Sequence, residues 1–597
     1  NTSDYVNKNF KQNNKDFFIL KNLSKKNINV CKFDKGNGLV VLNKEDYVNK
    51  MIDVLKGPQF MKINKFRKNG KLPPIKDDEF LTSLLSNLNK QGHICDNLVK
   101  GLHPIGSQPA KLYGLPKVHK NGIPLRPVLS MIRTSQYMVA KYLDSKLKPL
   151  LSSEFLCRDS FEFVDFISTY KVQNEGKFMV SFDISSLFTN VPLVETLNLC
   201  CDLWKNNHSE HHIVDEVGFR ELLSFATSNV HFLFNNEWYK QTDGVAMGSP
   251  LAPTLASVFL SKIENKIKLF DGNQPLVYKR YVDDIFLVFK NQADVLPFLN
   301  FMNSLHSNVT FTVENEKNGV LPFLDLLVER KSLSYETGIY RKQTDTGLYT
   351  SPDSFCELKY KRNMIKGLIY RSWSLSSTFV KSVESVNKLS SLLNQNGYSK
   401  SFLEKLIKET VDKILLKDFS KNQSLASPDG SKKEIEGSLD INNMPKYCLI
   451  VPYSEGFKNF KNALLKATNN ELNLKIISRS HKIQNMFSNK SITPLTLCSD
   501  IVYEYKCNGC DATYIGETAR HLCKRIQEHG RKESKSNIAE HRKKCKCDVN
   551  FDNFKILCKH FDSYWERVSC EALLIRSRCP KINVQSAVST SLLRIFD

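Results

Sequence analysis

The stretch Tyr278-Lys279-Arg280-Tyr281-Val282-Asp283-Asp284-Ile285-Phe286-Leu287-Val288-Phe289 decides the fold. Apolar residues stand on both sides of Val282-Asp283-Asp284, which makes the stretch a hairpin with two carboxylates at its tight turn. An Asp-Asp pair makes a good turn by itself. Adjacent carboxylates nevertheless repel, and the arrangement is costly unless a cation holds them. Earlier in the chain, Lys177-Phe178-Met179-Val180-Ser181-Phe182-Asp183 reads as a strand that ends on a third carboxylate. With the two strands as neighbours, Asp183 and Asp283 would clamp two Mg²⁺ roughly 4 Å apart, the geometry of in-line phosphoryl transfer.

Around this nucleus lie 597 residues, too many for one hydrophobic core, so three or more domains are expected. Apolar residues make up 41% and charged residues 25%, values that exclude a wholly disordered or fibrous chain. No run of about 18 consecutive apolar residues occurs, so no membrane-spanning helix is expected. The chain starts at Asn1 without a charged-then-apolar leader, which leaves room for a missing N-terminal piece. Lys and Arg number 85 against 62 Asp and Glu, a net charge of +23. Such a surplus favours a polyanionic partner, nucleic acid or an acidic membrane face. No basic amphipathic helix stands apart from the rest, so nucleic acid is the expected partner and a membrane is not. The 16 Cys fall short of a disulfide scaffold and read as reduced thiols in an intracellular reducing environment, some of them metal ligands.

Residues 1–110 read as an N-terminal arm and extension, loose and rich in Asn and Lys up to residue 30. A folded pattern opens near Cys31-Lys32-Phe33-Asp34-Lys35-Gly36 and continues into the strand-like Leu39-Val40-Val41-Leu42. Helical spacing follows in 80–100 (Phe80, Leu84, Leu85, Leu88). From 111 to 350 strands and helices mix around long apolar stretches, which predicts a buried sheet. Residues 351–421 read as helical, with 13 Lys/Arg against 6 Asp/Glu over 354–421. A polar linker over 422–445, a basic connector over 446–497 and a compact Cys-rich tail over 498–597 complete the chain.

The surroundings of the aspartates give them meaning. Phe182-Asp183-Ile184-Ser185-Ser186-Leu187-Phe188-Thr189-Asn190, Gly244-Val245-Ala246-Met247-Gly248-Ser249-Pro250-Leu251-Ala252-Pro253 and Tyr281-Val282-Asp283-Asp284 follow in order. Together they resemble the palm of a reverse transcriptase. Leu115-Pro116-Lys117-Val118-His119-Lys120 and Arg126-Pro127-Val128-Leu129-Ser130 resemble its fingers motifs. Leu321-Pro322-Phe323-Leu324-Asp325 and Tyr340-Arg341-Lys342 resemble its later palm motifs. The resemblance implies that Asp183, Asp283 and Asp284 are catalytic and hold two Mg²⁺, joined by the backbone carbonyl of Ile184. It implies nucleotide-binding roles for Lys117 and Arg126 on the triphosphate, for Phe188 as a ring that excludes a 2′-OH, and for Gly248, Ser249 and Pro250 where backbone approaches the substrate. Gly244, where some relatives carry a polar contact, is given no chemistry.

In the tail, Ile501-Val502-Tyr503 and Tyr514-Ile515-Gly516-Glu517-Thr518 read as two short strands, with a helix expected after Thr518 as N-cap. His521, Arg525 and His529 at i, i+4 and i+8 would share one face of that helix. Glu571 lies in a second helical run, Trp565 to Arg576. The set resembles a GIY-YIG endonuclease domain, although Ile501 stands where the family has its first Gly. By that resemblance Tyr503, Tyr514, Arg525, His529, Glu571 and Asn583 are catalytic, with one Mg²⁺ on Glu571 and Arg525 balancing phosphate charge. Cys507-x₂-Cys510 in the turn, with His541 and Cys547, would complete a structural Zn²⁺ site in which Cys545 competes with Cys547 for the fourth place.

A palm with Leu112-Tyr113-Gly114-Leu115-Pro116-Lys117 and Ser186-Leu187-Phe188-Thr189-Asn190, joined to such a tail, resembles a Penelope-like retroelement protein. Two departures stand out. The His-rich motif expected after Tyr340-Arg341-Lys342 is replaced by Thr350-Ser351-Pro352-Asp353-Ser354-Phe355, and Cys547 stands where the family's zinc motif ends in His. The implied fold is multidomain α+β: a right-hand polymerase of fingers, palm and thumb with an antiparallel palm sheet, plus a small α/β nuclease domain. The implied function is nicking of target DNA and copying of the element's RNA from the exposed 3′-OH, with dNTPs as substrates, in the nucleus. A telomerase-like enzyme extending existing DNA ends, or an inactive domesticated nucleic-acid binder, are the rival readings.

Overall fold

In a computed structural model the described residues are 18–36, 38–63, 71–151, 153–170, 178–207, 214–228, 230–332, 334–425, 447–467, 474–480, 486–487, 489–531, 533–559, 561 and 563–583. Most of the expected arm and nearly all of the linker fall outside them, as does Lys177 at the head of the first catalytic strand.

Strands β1 (Ile28–Lys32) and β2 (Leu39–Asn43) pair antiparallel. Regular structure therefore begins inside the stretch expected to be loose, with a helix over 18–23 and then β1, which starts three residues before Cys31. A five-stranded sheet has the order β3-β8-β7-β4-β5, built from β3 (Phe60–Lys62), β4 (Ala110–Pro116), β5 (Leu125–Ser130), β7 (Val230–Phe234) and β8 (Glu237–Gln241). This corrects the boundary at 111. It cuts through β4, and β3 from the supposed extension hydrogen-bonds to β8, so the N-terminal residues and the following unit share one sheet.

The second sheet is antiparallel with the order β11-β6-β10-β9: β6 (Phe178–Ile184), β9 (Val277–Tyr281), β10 (Asp284–Phe289) and β11 (Phe311–Asn315). Its two faces pack against different cores. Ile285, Leu287 and Phe289 join Val180, Phe182 and the helices Ala252–Glu264 and Val295–Ser304. Phe286 and Val288 join Met179, Phe163 and Phe323 on the other side. Burial on both faces is why β10 reads as an unbroken apolar run rather than as an alternating one. Beside it, β12 (Val320–Phe323), β13 (Leu326–Arg330) and β14 (Tyr335–Ile339) form a small antiparallel sheet.

The basic helical stretch resolves into helices Leu358–Ser374, Phe379–Gln395 and Lys400–Leu425, packed around Ile365, Ile369, Leu389, Leu393 and Leu406. The last of them runs through Leu425, beyond the expected start of the linker at 422. The connector holds a βαβ unit in which β15 (Tyr447–Pro452) and β16 (Leu474–Arg479) run parallel and helix Phe457–Ala467 supplies the crossover that a parallel pair requires. Ser478 Oγ donates to Glu357 (2.6 Å), and Tyr360 Oη donates to the Ser478 carbonyl (3.0 Å), tying the unit to the first of the three helices.

The tail is built on a sheet of order β18-β17-β19, with β17 (Ile501–Lys506), β18 (Thr513–Thr518) and β19 (Phe554–Lys559). Helices Leu522–Gly530, Asn537–Cys545 and Tyr564–Arg578 surround it. Thr518 is the last residue of β18 rather than an N-cap, and the helix starts at Leu522 after His521. His521 is 1% exposed and donates to the Ser107 carbonyl at 2.6 Å. Arg133 donates to the Phe561 carbonyl at 2.8 Å. A side chain on Gly106 would strike the Ala519 carbonyl at 2.4 Å. The tail is thus seated directly on the N-terminal half of the chain. Among the described residues, no helix is long and apolar enough to cross a membrane.

Candidate active sites: three aspartates and a tyrosine-lined tail

The first site is made by sheet register. Asp183, at the penultimate position of β6, lies opposite Asp284, the first residue of β10. Asp283 sits in the turn between β9 and β10, and its carbonyl accepts from the Ile184 N–H at 3.3 Å. Val282 holds φ +55°, a left-handed conformation that a β-branched residue adopts only under constraint. The constraint lies directly behind it. Arg280 and Glu264 form a two-pronged ion pair, 0% and 2% exposed, at 2.5 and 3.0 Å, and Arg280 Nη1 donates to the Val282 carbonyl at 3.2 Å. Removing that guanidinium would leave a buried carboxylate and an unsupported turn.

Burial pushes the Asp284 carboxyl up to about 6, helped by the charges of Asp283 and Asp183 and opposed by Lys35 and Lys342. Burial raises Asp283 as well, with Asp183 adding to it and Arg126 and Lys35 opposing. Two half-buried carboxyls, Asp283 and Asp284, that resist ionising side by side, with Asp183 across the strand pair, are what a divalent cation relieves, so the donor set fits Mg²⁺.

Of the residues expected to bind the nucleotide, Arg126 lies within electrostatic reach of Asp283. Lys117 closes the β4–β5 hairpin, its N–H donating to the Pro124 carbonyl at 2.9 Å. Burial lowers its ammonium, and neighbouring Arg126 lowers it further. Arg126 lies on β5 opposite Leu115 and pairs through Nε with Asp34 at 3.0 Å. Phe188 is half-buried against the main core, and its carbonyl accepts from the Val245 N–H at 2.7 Å. Gly248 (φ +135°) leaves no room for a side chain, since a Cβ would stand 2.1 Å from the Leu129 carbonyl. Ser249 is buried behind it and Pro250 half-buried. Gly244, given no chemistry above, has a structural reason: at φ +72° its backbone lies against Thr189, where a Cβ would come within 2.7 Å of the carbonyl. The sequence reading missed Asp34, Lys35, Glu264 and Arg280. Asp34 and Lys35 lay within the singled-out Cys31–Gly36 segment and Arg280 within Tyr278–Phe289, whereas Glu264 carried no signal.

The second site is built from one strand pair and two helices. On β17, Tyr503 lies opposite Gly516, and a side chain at 516 would sit 2.8 Å from the Tyr503 hydroxyl. Tyr503 and His529 are both fully buried. Arg525 Nε donates to the Tyr503 hydroxyl (3.1 Å), which donates to His529 Nε2 (2.7 Å), whose Nδ1 donates to Ser536 Oγ (2.8 Å). The imidazole in this chain is neutral, since burial and then the Arg525 charge bring it down to about 3. Tyr514 lies beside both rings, with centroids 6.4 Å from Tyr503 and 6.1 Å from His529. Glu571 stands within electrostatic reach of Tyr503, Tyr514 and Arg525. Burial, with nearby Glu517, pushes its carboxyl up to about 7. Glu571 is thus a half-buried carboxyl between a second carboxylate, Glu517, and the cations of Arg525 and Arg567. Asn583, expected among the catalytic residues, instead directs both ends of its amide to the Ile515 backbone, accepting and donating at 2.8 Å. It anchors the free edge of β18.

His521 leaves the face it was expected to share with Arg525 and His529, because it precedes the helix and is directed to Ser107. The expected zinc set also changes. Cys507, Cys510, His541 and Cys545 bring their ligand atoms within 4.8 Å of one another. Cys507 and Cys545 stand 3.8 Å apart, and Cys510 stands 3.4 Å from His541 Nε2. A tetrahedron with metal–sulfur arms of about 2.3 Å has an edge of about 3.8 Å, so the group fits Zn²⁺. Cys547, chosen above, lies 3.6 Å from the Tyr505 hydroxyl instead. Helix Asn537–Cys545 ends on Lys546 in a left-handed conformation (φ +51°), which turns the chain after Cys545. Burial raises the Cys507 thiol, but hydrogen bonds from His541 and the Gly509 N–H bring it down to about 5.

Residues 348–408 match the family model of an animal helix-turn-helix domain, across the segment expected to be a thumb. No curated protein matches the chain. Among solved structures, the apo telomerase from Candida tropicalis truncated from its C-terminal domain aligns at 14% identity with a TM-score of 0.36, over 51% of this chain. The chain spans 63% of that protein's length. Telomerase from Candida albicans in complex with a TWJ fragment of telomeric RNA aligns at 12% identity and 0.38, over 62% of this chain and 69% of that one. The Sicinivirus 3Dpol RNA-dependent RNA polymerase aligns at 11% and 0.35, over 59% and 87%. Residues 118–333 match the family model described as reverse transcriptase (RNA-dependent DNA polymerase), and this stretch of the chain, with all three aspartates inside it, is a reverse transcriptase domain.

Proposed function

We propose that this chain nicks target DNA with its tail and copies an RNA into DNA from the exposed 3′-OH, as a Penelope-like retroelement protein. The observation that carries the reading is the convergence of Asp183, Asp283 and Asp284 at one end of an antiparallel sheet within the reverse transcriptase domain.

In the polymerase step the primer 3′-oxygen, losing its proton, forms a bond to the α-phosphorus of a dNTP. The bond from that phosphorus to the oxygen bridging to the β-phosphate breaks, and pyrophosphate leaves. Two Mg²⁺ held by Asp183, Asp283, Asp284 and the Ile184 carbonyl would neutralise the charge that develops. Lys117 and Arg126 bind the triphosphate, Phe188 excludes a ribose 2′-OH, and Gly248, Ser249 and Pro250 give backbone access to the nucleotide. In the tail, Arg525 balances phosphate charge, Glu571 binds one Mg²⁺, and the Tyr503–His529 chain fixes Arg525 beside Tyr514. Cys507, Cys510, His541 and Cys545 bind a structural Zn²⁺. The basic helices of 351–421 act as a thumb along the duplex backbone, and the connector contacts RNA or target DNA. The protein works in the nucleus, where its DNA lies.

Primer extension on an RNA template with Mg²⁺ and dNTPs tests the polymerase. The intact chain extends the primer and Asp283→Asn does not. Equal extension by both would refute the aspartate assignment. A telomerase-like reading shares this result and is separated by closed circular DNA: a nicking enzyme opens it and primes from the nick, whereas an end-extending enzyme leaves it closed. Binding of RNA with no extension by the intact chain would favour the inactive binder.

A further inference from the structure

The segment Asp34-Lys35-Gly36 enters none of the roles above, yet each of its residues is fixed against the polymerase site. Asp34 is pinned from both sides. Its N–H donates to the Pro116 carbonyl at 2.9 Å, and its carboxylate, 5% exposed, takes Arg126 Nε at 3.0 Å. The second carboxylate oxygen, Oδ2, is buried without a partner among the described residues. A half-satisfied buried acid is a poor way to stabilise a fold, but it suits holding a cation that must keep one orientation. The Lys35 carbonyl accepts from Thr344 Oγ1 at 3.1 Å. Gly36 adopts φ +127°, where a Cβ would stand 2.5 Å from the Phe33 ring and 3.0 Å from the Thr344 carbonyl. The loop therefore bridges the Lys117–Arg126 hairpin and the chain that follows Lys342. Its one exposed cation, Lys35, makes no ion pair among the described residues, and Asp283, Asp284, Lys117 and Lys342 all lie within its electrostatic reach.

We propose that Lys35 binds the phosphates of the incoming nucleotide and that Asp34 is a positioning residue that orients Arg126 for the same task. This rests on the polymerase reading. Fixed cations around a triphosphate lower the cost of bringing its charge to a carboxylate cluster, and a backbone held at Asp34, Lys35 and Gly36 fixes where that charge stands.

Single-nucleotide incorporation by the full chain tests it, with the KM for dNTP, kcat and primer–template affinity read separately. The KM for pyrophosphate in the reverse reaction is read beside them. Lys35→Ala is expected to raise KM for both dNTP and pyrophosphate about tenfold, with kcat and primer–template affinity within about threefold, and Lys35→Arg to restore most of the loss. Pyrophosphate carries neither sugar nor base, so a rise for dNTP alone would overturn the phosphate role. Unchanged KM for both would overturn it as well. Asp34→Asn is expected to raise KM several-fold, and Asp34→Asn with Arg126→Ala to be no worse than Arg126→Ala alone. Additive losses would overturn the positioning role. No incorporation by the intact chain would defeat the polymerase reading and this inference with it, whereas incorporation by an intact chain whose KM ignores Lys35 would defeat this inference alone.

Discussion

The aspartate site and the tail site both place a half-buried carboxyl beside cations, but they are assembled by different means. In the first, all three carboxylates lie on two adjacent strands or the turn that joins one to its neighbour, and antiparallel register alone sets Asp183 across from Asp284. In the second, strand β17 gives Tyr503, helix Leu522–Gly530 gives Arg525 and His529, and Glu571 arrives from helix Tyr564–Arg578, beyond the third strand of the sheet. The first concentrates negative charge and invites two cations. The second sets Glu571 and Glu517 against Arg525 and Arg567, beside a neutral histidine, so its charges are nearly matched. Register makes a site cheap to specify in sequence; a site gathered from separate helices depends on packing, and on Gly516 leaving space for the Tyr503 hydroxyl.

The sharpest way to break the comparison is to inactivate each site alone. Asp283→Asn should lower primer extension by at least about a thousandfold through loss of metal-held charge, with nicking of circular DNA unchanged. Glu571→Ala should do the reverse, sparing extension of a pre-nicked primer. Loss of both activities in either variant would mean that the sites are not independent. Next in size, Arg280→Met strands Glu264 in the core and releases the Val282 carbonyl, so the polymerase half should lose about 3–5 kcal/mol in denaturant unfolding while the tail's transition is unmoved.

The metal cluster distinguishes two neighbouring cysteines. Cys545→Ser should lose stoichiometric zinc, measured as metal per chain, and should leave the tail open to proteolysis, whereas Cys547→Ser should retain both. The opposite pattern would reinstate the sequence-based choice. Phe188→Ala should reduce discrimination against rNTPs about tenfold, about 1.4 kcal/mol, in competing incorporations, and unchanged selectivity would remove the ring from the sugar site.

The smallest effect is a pH dependence. The Glu571 carboxyl is raised from the ordinary 4.5 to about 7, so folding favours its protonated form. That contribution is complete below about pH 4.5 and is lost as pH rises through about 7. In the absence of divalent metal, Glu571→Gln should therefore raise the tail's melting temperature by a few degrees at pH 8 and leave it unchanged at pH 4. The same experiment on Asp284→Asn should show its window lower, between about 3.8 and about 6. An equal gain at both pH values would assign the effect to packing rather than to charge.

The sequence by itself determined the hairpin of Tyr278–Phe289, the order of the motifs around it and the basic helical stretch of 351–421, because apolar runs, turn residues and helical spacing are local properties of a chain; its division into three helices came from the structure. It also identified the tyrosine strands and Cys507 and Cys510, whose spacing is short. What only the tertiary structure decided is what long-range packing sets. The β3 strand, distant in sequence, joins the five-stranded sheet because its backbone groups find β8. Cys545 rather than Cys547 closes the metal cluster because a left-handed Lys546 turns the chain between them. Asn583 is drawn into the strand edge by two backbone bonds. Arg280 and Asp34 emerge as supports of the aspartate turn and of Arg126 for the same reason: an ion pair becomes consequential through burial, and burial is a property of the whole fold rather than of the residue that carries the charge.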